Sequence, residues 1–134
     1  MICYMLDTNA CIDVLRYNNS KILGRLDTCK IGQVAISSIT MAELQHGVFK
    51  GNRQVAEQEV LTTFCEELEI LPFDELAAET YGRIRATLEQ AGTPIGPLDT
   101  LIAAHAMSLD CTLVTNNENE FRRVDGLAVE NWTV

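Results

Sequence analysis

Apolar residues in this chain alternate between short continuous runs and longer stretches spaced by three and four. Residues 2–6 form an unbroken apolar run, which predicts a buried strand. Cys11, Ile12 and Leu15 share one helical face and predict a helix over 9–17, with a second short helix over 20–28. Val34-Ala35-Ile36 reads as a strand ending in Ser37-Ser38, followed by a helix from Thr40 through Phe49 that stops near Gly51. Another helix covers 53–68, and 70–73 is a short strand or an extended link. Ala77, Tyr81, Ile84 and Leu88 keep helical spacing over 74–91 up to Gly92. Pro94 and Pro97 bracket a loop, 98–109 is a packed helix, and 112–115 and 128–132 are strands. Short apolar strands alternating with helices predict an α/β fold with a parallel sheet covered on both faces. No repeat, low-complexity tract or Pro/Gly/Ser linker interrupts the pattern, so residues 1–134 read as one domain.

With 47% apolar residues in 134, the chain can build a core without disulfides or a structural metal. No apolar run approaches the roughly 18 residues of a membrane span. The first residues lack a basic flank and meet Asp7 too early for a signal peptide. Cys3, Cys11, Cys29, Cys65 and Cys111 are odd in number, scattered and without a C-x-x-C pair, which disfavours a disulfide framework or a zinc knuckle. Reduced thiols in apolar surroundings point to the cytoplasm. A net charge of −9 opposes general affinity for nucleic acid, unless the acids gather where a divalent cation reverses the local field. The alternative is that they only keep the protein soluble.

Where the acids fall therefore decides the chemistry. In a parallel sheet the reactive crevice lies beyond the carboxyl ends of the strands, where the N-termini of crossover helices also gather. Asp7 follows the first strand directly. Glu43 and Asp99 are expected in the first turns of the helices after Ser38 and Pro97. Asn116, Asn117, Glu118 and Glu120 follow the strand at 112–115. Clustered carboxylates repel unless a cation compensates them or their pKa values rise. Hard oxygen ligands without clustered His or Cys suit Mg²⁺ or Mn²⁺ rather than zinc, in a site that assists attack of water on a phosphodiester.

Each acid also has a purely local explanation. Asp7 can cap the following helix, Thr40-Met41-Ala42-Glu43 fits a capping box, Asp99 complements a helix dipole, and Glu120 can be a solvated acid. Those explanations are independent of one another, whereas a metal site accounts for all four acids together. His46 and His105 are distant in sequence and sit beside apolar residues, as packed or surface histidines do. Ser37, Ser38 and Thr115 lack a His–Asp partner for nucleophilic catalysis, though Thr115 can orient a ligand water. No nucleotide-binding glycine motif occurs. Arg83, Arg85, Arg122 and Arg123 read first as solvated helix charges and second as phosphate contacts.

The chain resembles the PIN-domain toxins of VapBC toxin–antitoxin modules over essentially its whole length. The matching pieces are Met5-Leu6-Asp7-Thr8-Asn9, Ser37-Ser38-Ile39-Thr40-Met41-Ala42-Glu43-Leu44 and Gly96-Pro97-Leu98-Asp99-Thr100-Leu101-Ile102-Ala103. Thr115-Asn116-Asn117, Glu120-Phe121 and the ending Gly126-Leu127…Glu130-Asn131-Trp132 complete them. The resemblance implies a PIN fold with four to five parallel strands, a homodimer and Mg²⁺-dependent endoribonuclease activity, with Mn²⁺ as a substitute. It also implies inhibition by a VapB-type antitoxin, through which operator DNA is contacted. Carried onto this chain, Asp7, Glu43 and Asp99 are the metal-site acids. Many relatives have an acid where this chain has Asn117, so Glu120 is expected to supply that carboxylate, with Glu118 as the alternative. The ending is similar to the enterobacterial subgroup that cuts initiator tRNA in its anticodon loop. Two other readings stay open. Asn117 leaves room for a non-catalytic antitoxin-binding module. Asp7 could also be a phosphatase nucleophile, although such enzymes want a second Asp where this chain has Asn9.

Overall fold

The computed structural model describes residues 1–134. Its elements run β1 (Tyr4–Leu6), α1 (Thr8–Tyr17), α2 (Ser20–Thr28), β2 (Val34–Ser37), α3 (Ser38–Phe49), α4 (Gln54–Cys65) and β3 (Glu69–Leu71). They continue with α5 (Glu75–Ala91), α6 (Pro97–Ser108), β4 (Thr112–Val114), α7 (Glu118–Phe121) and β5 (Val129–Glu130). All five strands are parallel, in the order β3-β2-β1-β4-β5. β1 is central, with Tyr4 beside both Val34 and Thr112.

Alternation along the central strands divides the core into two layers. Leu6, Val34, Ile36 and Val114 face α1–α4, where Ala10, Cys11, Val14, Ile22, Leu44 and Leu61 meet them. Met5 and Leu113 face the other way, against Ile84, Leu88, Ile102, Ala103 and Phe121 of α5–α7. The expected sheet with both faces covered is what forms. From β1 the chain winds outward through β2 and β3, then returns through α5 and α6 to place β4 on the other side of β1. The winding direction reverses between β1 and β4, and the crevice beyond their carboxyl ends is the natural ligand site.

Several elements differ from the sequence reading; the helix expected over 53–68, for example, is α4 and ends at Cys65. The helix expected from Thr40 begins at Ser38, because Ser37 caps it by accepting from the Ile39 N–H at 3.1 Å. The Thr40–Glu43 capping box is therefore not formed, and Glu43 lies in the second turn rather than the first. α7 was not anticipated, since four residues carry no readable periodicity. The last strand shrinks to two residues, with Trp132 buried beyond it, edge-on to Tyr4 at 5.0 Å and 4.7 Å beneath the Arg25 guanidinium. All five cysteines are free thiols. No helix is long and apolar enough to cross a membrane.

Candidate active site

Asp7 leaves β1 in an extended conformation and caps α1, its Oδ1 accepting the Ala10 N–H at 2.8 Å. It is both the helix cap and a member of the acid edge, so the two readings of this residue do not compete. Only 1% of it is exposed. Burial pushes its carboxyl up to about 6; hydrogen bonds from Thr115 and Ala10 oppose the rise, and the charges of Asp13 and Glu43 add to it. The Thr115 hydroxyl that faces Asp7 itself accepts the Asn117 N–H at 2.9 Å. The end of β4 thus steadies the end of β1.

Asp99 lies in the first turn of α6, after Gly96 as cap and Pro97 at the helix start. Its carboxyl is also pushed up to about 6, chiefly by burial, then by the charges of Glu120 and Asp7, a hydrogen bond with Glu120, and Glu43. Glu120, on α7, is held from two sides. Its Oε1 accepts the Gly96 N–H at 2.9 Å, and its Oε2 takes a short hydrogen bond from Asn117 Nδ2. A Cβ at Gly96 would lie 3.6 Å from Asp99 Oδ2 and 3.7 Å from Glu120 Oε1, so the loop backbone runs directly past both acids. Glu43 reaches the same edge from α3 and accepts the Thr8 hydroxyl on Oε1 at 2.6 Å.

The four acids singled out in the sequence, Asp7, Glu43, Asp99 and Glu120, therefore meet at one edge. Glu118 does not join them. It pairs with Arg122 at 2.8 Å and accepts from Asn131 Nδ2 at 3.3 Å. His105 is buried, with Nδ1 at 2.7 Å from Ser37 Oγ, and burial lowers its pKa; it is a packed histidine away from this chemistry. Arg83 and Arg85 pair with Glu79 and Glu89 on their own helix, and Arg123 Nη1 donates to the Pro94 carbonyl at 3.0 Å.

No lysine or arginine is ion-paired with Asp7, Glu43, Asp99 or Glu120, although Arg16 and Arg53 line the groove that Glu43 also lines. Like charges crowded in a crevice without a counterion favour either proton uptake or a hard cation. The oxygen donors fit Mg²⁺ or Mn²⁺ in kind. No three Asp, Glu, His or Cys side chains converge tightly enough to form a ready-made cage. The fit is accordingly to an ion that takes one or two carboxylates directly and keeps its waters, the usual habit of Mg²⁺. Sequence reasoning missed the contacts that aim these acids: Thr8 on Glu43, and the Asn117 amide and the Gly96 N–H on Glu120. The polar run Asp7-Thr8-Asn9 and the pair Asn116-Asn117 were their only trace.

A doubly wound parallel domain with acids gathered at its switch point is the class of protein that the fold and site define. Residues 4–127 match the PIN domain family, and the chain belongs to it. It is 44% identical to "Ribonuclease VapC2" of Rickettsia felis, covering 96% of this chain and 97% of that protein. It is 38% identical to "tRNA(fMet)-specific endonuclease VapC" of Shigella flexneri, covering 99% of this chain and 100% of that protein. Among solved structures it is similar to DNA-bound VapBC from Salmonella typhimurium, with a TM-score of 0.94 and 40% identity over 98% of this chain and 99% of that chain. The likeness to VapBC2 from Rickettsia felis bound to a promoter DNA fragment has a TM-score of 0.93 and 42% identity, over 98% of this chain and 99% of that chain.

Proposed function

We propose that this chain is the toxin of a toxin–antitoxin pair, an endoribonuclease that works with Mg²⁺, or Mn²⁺ in its place, at the Asp7–Glu43–Asp99–Glu120 edge. The observation that carries this reading is the meeting of those acids without a counterion at the switch point of a PIN fold. Full-length relatives named as ribonucleases support it. When bound, a hard divalent ion offsets the charge that develops on a phosphodiester under attack by water.

The chain's own residues supply the positioning. Asp7, held by the Ala10 N–H, and Asp99, fixed in the first turn of α6, hold the ion. Glu43 and Glu120, each fixed by hydrogen bonds, orient the waters around it. The Thr115 hydroxyl favours the ionised form of Asp7, the form a cation needs.

Initiator tRNA is the substrate in this reading, supported by full-length similarity to the Shigella and Salmonella proteins named for it. A VapB-type antitoxin is the partner, and operator DNA is reached through it, as the DNA-bound VapBC structures suggest. A groove between α1, α3 and α4, with Ile12, Leu15, Val60 and Leu61 in its lining, has Glu43 among its walls. An antitoxin segment lying there places an arginine at the acids, silencing them by occupying the cation's position. The active unit is a homodimer in the cytoplasm.

Purified, antitoxin-free protein should cut initiator tRNA in Mg²⁺, stop in EDTA, and leave phosphomonoesters untouched. Asp99→Asn should abolish cutting with the fold intact. Undiminished cleavage in EDTA or in that variant refutes the site, and no cleavage at any metal concentration leaves only a binding role.

A further inference from the structure

Thr8 opens α1 immediately after Asp7, yet its hydroxyl makes no bond within its own helix. Its Oγ1 lies 2.6 Å from Glu43 Oε1 and 3.3 Å from Thr40 Oγ1, both on α3. A hydroxyl carries a single hydrogen. At 2.6 Å that hydrogen belongs to the carboxylate, in the short range of charge-assisted O–H···O⁻ bonds. The contact with Thr40 then has one possible direction, with Thr40 donating to Thr8. Thr40 is fully buried, one helical turn before Glu43. Thr40, Thr8 and Glu43 form a relay in which each hydroxyl strengthens the next as a donor.

We propose that Thr8 is a positioning residue: its hydroxyl fixes the Glu43 carboxylate at the acid edge and thereby sets the cation affinity of the site. This rests on reading that edge as a divalent-cation site. The local structure gives the hydroxyl no other employment, because Asp7 already caps α1. Glu43 is a long, half-buried side chain with several rotamers to lose, and no other hydrogen bond restrains its carboxylate.

The test is Mn²⁺ binding to the RNA-free protein, followed by the electron paramagnetic resonance signal of the free ion. Thr8→Val keeps the shape and removes the hydroxyl. It should weaken binding about 10-fold, the lower end of the effect of losing an outer-shell partner. Thr8→Ser should restore most of the affinity. In a Glu43→Ala background, where the acceptor of the Thr8 hydroxyl is gone, Thr8→Val should cost nothing further, whereas a loss through packing would add to that of Glu43→Ala. Unchanged affinity in Thr8→Val, or additive losses in the cycle, overturns the role of Thr8 while the cation site stands. Failure of the unmutated protein to bind Mn²⁺ overturns both. If thermal unfolding shows Thr8→Val to be unfolded at the assay temperature, the comparison of Thr8→Ala with Thr8→Ser decides on the same criteria.

Discussion

Asp7→Asn should make the metal-free protein more stable while removing its activity. Asp7 is 1% exposed, and its carboxyl is pushed from 3.8 to about 6. At 1.36 kcal/mol per pH unit, that displacement corresponds to about 3 kcal/mol against the ionised form at neutral pH. Asparagine carries no charge, and its side-chain oxygen still accepts the Ala10 N–H, since Asn and Asp cap helices about equally well. The new amide hydrogens need partners and take back part of the gain, so about 1–3 kcal/mol is expected. The sign follows from proton linkage. The fold favours the protonated Asp7 carboxyl, a contribution fully present below pH 3.8 and lost as the pH rises through about 6. The advantage of Asp7→Asn should therefore grow across that window and level off above it. Urea unfolding in EDTA at a series of pH values measures it directly. Saturating Mg²⁺ should reverse the order, since an ion at 1,000 times its Kd stabilises only the site that binds it, by about 4 kcal/mol. A variant less stable than the parent at pH 7.5 in EDTA, or an advantage independent of pH, would refute the argument.

Two further predictions concern the neighbours of the site. Glu120→Gln should weaken Mn²⁺ binding and RNA cleavage while Glu118→Gln leaves both unchanged, because Glu118 faces Arg122 and Asn131 rather than the other acids; equal losses in an isothermal titration would reject this assignment. Ser37→Ala removes the α3 cap and leaves the buried His105 Nδ1 without its partner. It should cost about 1–3 kcal/mol in chemical denaturation with little change in cation affinity.

The parts of the molecule legible in its sequence are those built from local rules. β1, β2 and β4 announce themselves as apolar runs, and α5 as a spacing of three and four ended by Gly92. Asp7 and Asp99 were readable because their positions follow from the strand end and from Pro97 at the helix start. The start of α3 is not legible locally, because Ser37 and Thr40 are both competent caps and only three-dimensional packing chooses between them. The pairing of Thr8 with Glu43 and the clamp of Gly96 on Glu120 span 35 and 24 residues of chain, and no local pattern encodes such contacts. The acids were visible; the groups that aim them were not.

The central place of β1 bears on when the acid edge can assemble during synthesis. β1 takes one of its two neighbours from residues 112–114, more than a hundred residues further along the chain. Such distant pairing is slow and cannot precede the emergence of its partner from the ribosome. Asp7 consequently waits, solvated and without its β4 support, until more than a hundred further residues have been made. Its acid edge is therefore assembled late, only after the strand that flanks β1 on the far side has been made.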